Sequence, residues 1–304
     1  MLRERLGDLS SVMRFHIVMV AMTAALVFSW LATGDHQLQI ALIGGVDWLL
    51  INLLNRITDL EEDAANDIRG TKSVARHKRA FVLGWLAIFV ASFAWTAMAQ
   101  AELIPWRFLV QGIGLGYSIA FIPTPSGLKR FKDLYFLKNF MSSVLFVLTV
   151  FVYPMVAVEW RLTLSGGWEA WILLIIFFVS FELTYEILYD MRDLEGDRLA
   201  RVPTYPVVYG LEASRRIIDG LLLLAFFALA VGLLRGMLGL REGLMLVAPI
   251  VQFVFYRARY RRGLTRADCI WLTHLGTALL LFYLAGNALW IEAGLPANIF
   301  LFGG

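Results

Sequence analysis

Long apolar stretches dominate this chain and leave it few ways to fold. They fall at about 15–33, 38–54, 80–99, 103–122, 140–158, 168–189, 216–234, 243–256 and 270–291. All but the short eighth approach the roughly 20 residues with which a helix crosses about 30 Å of hydrocarbon. Soluble chains carry about 25% charged residues; here 17% are charged and 59% hydrophobic, with a mean hydropathy of +0.69. The expected fold class is all-α, a polytopic membrane protein of nine transmembrane helices in one domain over 1–304. The basic, polar start and a first apolar run too long for a signal h-region predict no cleavable signal peptide. The single Cys269 excludes an intramolecular disulfide and a thiolate metal site.

Basic residues are spread very unevenly between the loops. The N-terminus and every second loop hold 23 of the 27 Lys and Arg residues, leaving Arg107, Arg161, Arg235 and Arg241 for the other side. The positive-inside rule then predicts a cytoplasmic N-terminus, an outside C-terminus and an odd number of spans. Trp30, Trp106, Trp160 and Trp168, near the outer span ends, fit interfacial anchors. The basic clusters flank membrane helices with no recognition fold around them, so no nucleic-acid partner is expected.

The costliest residues fall on the cytoplasmic side. Asn55, Asp59, Asp63 and Asp67 recur every fourth residue, and on one continuous helix they would form a slowly drifting polar stripe. Asp190, Asp193 and Asp197 repeat the arrangement at the end of the run 168–188. Left bare, such carboxylates repel one another; a hard cation such as Mg²⁺ converts repulsion into coordination. Mg²⁺ keeps several waters and completes its shell with substrate phosphates, so the site calls for a phosphorylated ligand. Arg69, Lys72, Arg76, Lys129, Arg130, Lys138, Arg198 and Arg201 in adjoining loops can take phosphate oxygens. An apolar bundle beneath such a headgroup suits a hydrocarbon tail. Two merely solvated loops would explain either stripe alone; they explain the pair, on one side and both at helix ends, poorly.

These motifs carry a resemblance. Asn55-x-x-x-Asp59-x-x-x-Asp63 and Asp190-x-x-Asp193-x-x-x-Asp197 resemble the two aspartate-rich motifs of the UbiA superfamily of intramembrane prenyltransferases, over nearly the whole chain. The resemblance implies a nine-helix bundle around a central cavity and Mg²⁺-dependent transfer of a prenyl group from a polyprenyl diphosphate to a small or lipophilic acceptor. It implies that Asn55, Asp59, Asp63, Asp193 and Asp197 hold Mg²⁺ and diphosphate, with Asp190 beside them. Tyr117, Lys129-Arg130 and Lys138-Asn139 resemble the family's motif-flanking tyrosine and basic positions. Asn66, Arg69 and Arg76 echo the Asn/Arg run after the first motif, where Arg76-His77 replaces the common Arg-Pro. The substrate-binding set is then Asn55, Arg69, Arg76, Tyr117, Lys129, Arg130, Lys138, Asn139, Asp190 and Arg198. The implied setting is a bacterial or archaeal cell membrane, with the active site facing the cytoplasm.

The implied chemistry is ionisation of the diphosphate with electrostatic stabilisation of the leaving group, in a site that keeps water from the allylic cation. Phe140, Phe146, Tyr185 and Tyr189 are candidates to face that cation, although packing explains any single aromatic as well. Asp47, Glu182 and Glu186 lie within apolar runs, where an ionisable residue is a functional candidate by default. Glu186 is the chosen catalytic candidate, to deprotonate an acceptor hydroxyl or stabilise the cation; helix-to-helix hydrogen bonding is the alternative for all three. His274 reads as structural. The Asp-Gly step of CDP-alcohol phosphotransferases is missing, because Leu194 follows Asp193. An ion-coupled transporter would show broken helices at matching places in two halves, and none is evident. Cyclisation of the prenyl chain, as in UbiA-type terpene cyclases, is the runner-up.

Overall fold

The computed structural model describes residues 7, 9–125, 127–135, 137–296 and 298–302; Arg3 and Arg5, counted above on the cytoplasmic side, lie outside them. Among the described residues nine long helices follow the apolar runs: α1 (Phe15–Thr33), α2 (Leu38–Thr58), α3 (Lys78–Ala99), α4 (Ile104–Ser118), α5 (Leu137–Ala157), α6 (Gly167–Arg192), α7 (Leu211–Leu234), α8 (Val247–Arg261) and α9 (Arg266–Glu292). Seven are long and apolar enough to cross a membrane; α4 and α8, of 15 residues each, are not among them. The run 103–122 is cut short because Ile122–Thr124 (β1) pairs antiparallel with Gly127–Lys129 (β2), ending α4 at Ser118. This hairpin had no counterpart in the apolar pattern.

Local chemistry explains several of the other boundaries. Gly34 closes α1 in the left-handed region, φ 80°, and donates its N–H to the Trp30 carbonyl. Thr265 and Asp268 exchange side-chain-to-backbone bonds in a capping box that starts α9. Within α5 a π-helical turn, Val147–Val152, precedes Pro154, which has no N–H to offer the preceding turn. Thr149 in that turn accepts a hydrogen bond from the Trp48 indole at 3.0 Å, tying α5 to α2.

The helices close into a ring. α1 packs between α2 and α9, α2 against α4, α4 against α5, α5 against α6, and α6, α7, α8 and α9 follow in turn. Phe28 of α1, Phe146 and Phe151 of α5 and Phe178 of α6 pack together with ring centroids 4.6–5.8 Å apart, a separation at which aromatic pairs attract. α3 lies outside the ring against α2, burying only Ser92, Phe93 and Thr96. Its exposed Leu83, Leu86, Val90 and Met98 make a face suited to lipid.

Two charges meet inside the ring. Arg107 belongs to α4 rather than an outer loop, and it is fully buried, with its guanidinium 2.6 Å from Asp47 Oδ1. Tyr153 and Gln111 also donate to Asp47, while Ser92 and Thr96 accept from Arg107. Every polar group in this cluster has a partner, and it lines no cavity with the aspartate motifs. Asp47 thus joins α2 to α4 and α5, the helix-to-helix hydrogen bonding given above as its alternative role. Removing one partner of such a buried pair costs about 3–5 kcal/mol.

Candidate functional site

Neither acidic motif is a straight helix. α2 stops at Thr58, Asp59 leaves the helical region (φ −96°, ψ 30°), and a six-residue helix, Leu60–Ala65, sets off from it. α6 stops at Arg192, Asp193 turns in the same way (φ −94°, ψ 11°), and Leu194–Leu199 follows. The Asp63 and Asp197 amides donate to the carbonyls of Asp59 and Asp193 at 2.8 and 2.9 Å. Each short helix is then closed by a residue in the left-handed region, Asp67 or Arg201. Asp67 is thereby carried out of the site: its side chain is fully exposed, 3.7 Å from Arg266. The single stripe from Asn55 to Asp67 is corrected to a stripe that bends at Asp59 and ends at Asp63.

The two short helices pack on each other. Gly196 permits the close approach, since a Cβ there would meet the Asn66 amide group at 2.2–2.4 Å. Between them opens a cavity of about 110 Å³ lined by Asn55, Asp59, Asp63, Asp190, Asp193 and Asp197. Arg56, Tyr117, Lys132, Lys138, Glu186 and Arg192 complete most of its wall. Asp59 and Asp193 therefore share one site at one end of the bundle.

The segment joining α4 to α5 reaches both motifs. Lys132 Nζ bridges Asp59 Oδ2 (2.6 Å) and Glu62 Oε2 (2.5 Å), and Arg130 binds the other oxygen of Asp59 together with Glu62 and Asp133. A few residues on, Lys138 spans Asp190 at 2.8 Å and Asp197 at 3.1 Å, while Asn139 donates to Asp190. Arg56 pairs with Asp63 at 2.7 Å, and Arg192 pairs with Asp193. Burial raises the Asp59 carboxyl above its ordinary range, with Lys132 pulling the other way. Burial also pushes Asp197 up to about 6 against the pull of Lys138. Glu62 is pushed up by burial as well, but Lys132 and Arg130 outweigh it and hold the group below its usual value.

Hard oxygens remain open in this cavity. Asn55 Oδ1 and Asp63 Oδ2 are buried and accept no hydrogen bond, a costly state that a divalent cation would relieve. Among the described residues no three His, Cys, Asp or Glu side chains converge tightly enough to form an ion site alone. The donor set therefore fits a metal that takes the rest of its shell from water and from a ligand's own oxygens.

Not every residue singled out in the sequence reaches the cavity. Arg76 is exposed at the end of a further short helix, Thr71–Arg76, and Arg198 is exposed on Leu194–Leu199 beside Glu195. Arg69 extends toward Gly7, and the Lys129 side chain lies on β2, away from the cavity wall. Arg130 stands behind Asp59 rather than in the cavity. These positions are displaced because the bends at Asp59 and Asp193 swing the following loops outward, and because the hairpin turns Lys129 away. Lys132, Arg56, Arg192, Asn66, Arg14 and His16 line the cavity without having been chosen. A signal existed for Arg56 and Arg192: each sits directly beside a motif residue at a helix end, where a cation would be drawn.

The sequence matches the profile of the UbiA prenyltransferase family over residues 12–274. No curated protein sequence matches it. Among solved structures it resembles a UbiA homolog from Archaeoglobus fulgidus, with a TM-score of 0.65 at 16% identity, covering 91% of this chain and 97% of the other. The same homolog bound to GPP and Mg²⁺ gives 0.64 at 16% identity and the same coverage. Digeranylgeranylglyceryl phosphate synthase gives 0.56 at 16% identity, covering 93% and 98%. At this identity the structural likeness speaks for the fold alone, whereas the profile covers most of the chain: the protein belongs to the UbiA prenyltransferase family.

Proposed function

We propose that this protein is a Mg²⁺-dependent prenyltransferase, taking a polyprenyl diphosphate as donor and a small or lipophilic molecule as acceptor. One observation carries the reading: two aspartate motifs, far apart in sequence, line one cavity that also holds cationic side chains and two unsatisfied buried oxygens. The A. fulgidus homolog, described with GPP or DMAPP and Mg²⁺, supports the same choice of donor and metal. The topology that goes with it has nine spans, α4 and α8 included, the N-terminus and the cavity on the cytoplasmic side of a bacterial or archaeal membrane.

Asn55, Asp59, Asp63, Asp193 and Asp197 would hold Mg²⁺, which when bound supplies Lewis-acid polarisation and charge neutralisation at the diphosphate. Lys132, Lys138 and Arg192, now paired with carboxylates, are positioned to exchange those partners for phosphate oxygens. Asp190 orients Lys138 and Asn139 rather than facing the ligand alone. Tyr117 and Glu186 stand where the polar cavity narrows into the bundle, and Ser142 donates to Glu186 Oε1 at 2.8 Å. Arg69, Arg76, Lys129 and Arg198 have no such placement, and we assign them to the loop surface.

Calorimetric titration of the detergent-purified protein with inorganic pyrophosphate tests this. Binding should require Mg²⁺ and disappear in Asp63→Ala; binding that ignores the metal sinks the proposal. Incubation with labelled geranylgeranyl diphosphate, with and without lipid extract, separates transfer from cyclisation by product mass.

A further inference from the structure

Away from the cavity, the arginines of α7 and α8 gather into a cluster for which prenyl transfer has no use. It lies at the same end of the bundle as the aspartate motifs, because Arg266, which opens α9, donates to the Asp67 carbonyl at 3.0 Å. Arg257, Arg259 and Arg261 end α8 and Arg262 follows, while Arg215 and Arg216 stand near the start of α7, which packs on α8. Three carboxylates answer these six cations, and each is shared between two of them. Glu212 pairs with Arg215 and, at 3.8 Å, with Arg216. Asp219 pairs with Arg215 at 2.9 Å and Arg257 at 3.4 Å. Asp268 pairs with Arg262 at 2.7 Å and Arg259 at 3.2 Å. Among the described residues Arg261 has no ion pair, and it is exposed. The cluster therefore carries an uncompensated positive charge.

Its guanidinium groups rest on aromatic rings. Arg259 lies 3.6 Å from the Trp271 centroid and 5.4 Å from that of Phe255, and Arg257 lies 5.5 Å from Phe253. Stacking holds a guanidinium by its face and leaves its N–H edge for an anion. Phe253, Val254, Phe255 and Trp271 are themselves exposed, an apolar surface adjoining the cations. The apolar run 243–256 ahead of Arg257 covers only about 21 Å as helix, against roughly 30 Å of hydrocarbon. A bilayer meets such a short stretch by thinning, which brings lipid phosphates down to the arginines. The positive-inside rule accounts for basic residues at this end, but not for their seating on aromatic faces.

We propose that this corner binds an anionic phospholipid, its phosphate at Arg257, Arg261 and Arg262 and its acyl chains along the exposed face of α8. Each shared carboxylate leaves an arginine with bonding capacity that a phosphate can take up. A zwitterionic headgroup brings no net charge to the excess, and a free phosphate brings no chains to the apolar surface. The inference needs only a membrane around the bundle and stands apart from the prenyl-transfer reading.

Native mass spectrometry of the full chain, titrated in detergent with dioleoylphosphatidylglycerol or dioleoylphosphatidylcholine, tests this. Phosphatidylglycerol should bind at least about tenfold more tightly; equal affinities overturn the proposal. Arg216→Gln, Arg261→Gln and Arg262→Gln together remove three exposed cations and leave the aromatic stacking in place. They should weaken phosphatidylglycerol binding about 100-fold, the worth of three interfacial arginines. Lys72→Gln, Lys78→Gln and Arg79→Gln remove as many exposed cations from the connection between α2 and α3. Screened from the cluster, that change should cost less than about twofold. Equal losses in the two triple variants would mean attraction to bulk positive charge and would overturn the site. sn-Glycerol 3-phosphate should not displace the lipid; displacement at matched concentration would make the corner a free-phosphate site and overturn the lipid assignment.

Discussion

The two aspartate motifs use one backbone device with different electrostatics. In both, a long helix breaks at an aspartate, a six-residue helix follows, and a left-handed residue ends it. Around the first motif Asp59, Glu62, Asp63 and Asp133 face Lys132, Arg130 and Arg56, and Asp59 has two cations, one on each oxygen. Around the second, Asp190, Asp193 and Asp197 have only Lys138 and Arg192. Each half is one cation short, but Asp59 stands between two cations whereas Asp190 and Asp197 share one, Lys138. The difference teaches that a repeated fold motif need not mean repeated electrostatics: Asp59 is braced by two cations, while Asp197 shares its one cation with Asp190.

The largest test of that asymmetry is in metal-dependent binding. Losing an outer partner of a metal ligand typically costs 10–100-fold, so losing a ligand should cost at least about 100-fold. Asp197→Ala should reach that level in Mg²⁺-dependent pyrophosphate affinity. Asp59→Ala should cost only about tenfold on the same scale, because Lys132 and Arg130 become free to bind the anion. Equal losses would break the comparison. A second difference should appear in stability. Lys132 and Asp59 are nearly buried, so Lys132→Met should destabilise the protein by about 3 kcal/mol. Arg130 is partly exposed and Asp59 would keep Lys132, so Arg130→Met should cost about 1 kcal/mol or less. Thermal melts of the two variants in detergent give the ordering.

Much of this architecture was legible before any coordinates, and the unreadable parts have physical reasons. Membrane helices announce themselves because hydrocarbon admits only long apolar runs, and α1 spans the predicted 15–33. The bends at Asp59 and Asp193 left no trace, since an i, i+4 spacing looks the same whether a helix continues or restarts. Lys132 escaped notice because its approach to Asp59 depends on the hairpin, whose strands are only three residues each. The Asp47–Arg107 pair was the nearest miss. One acid and one base stranded in neighbouring apolar runs nearly always seek each other, but Arg107 was assigned to a loop. Glu182 was noticed, yet its place on the wall of an apolar cavity is a property of helix packing.

The contact between the motifs supplies a smaller test. Gly196 occupies the place that Glu62 holds in the first motif, and its missing side chain admits Asn66. Gly196→Ala should push that amide aside and cost about 1–2 kcal/mol, the scale of overpacking. Asn66→Ala in the same chain should recover most of the loss, because the two changes act through one contact. Additive losses would mean that the short helices do not rely on this approach.

The smallest effect is one of pH, and neighbouring carboxyls differ in its sign. Burial raises Asp197 from 3.8 to about 6 in the folded protein. A carboxyl with a raised folded pKa favours folding below its unfolded value, and that contribution is lost as pH climbs through about 6. Asp59, raised by burial, acts in the same direction. Glu62 acts oppositely: held low by Lys132 and Arg130, it contributes stability above its unfolded value and loses it as pH falls further. Without Mg²⁺, the melting temperature should therefore decline between about pH 4 and 6.5 as Asp197 is forced to ionise. Asp197→Asn should flatten the decline in that window, whereas Glu62→Gln should leave it and change only the more acidic limb. Mg²⁺ with pyrophosphate should reverse the slope, because both favour the ionised carboxylate. A decline undiminished in Asp197→Asn would show that Asp197 is not the group titrating in that window.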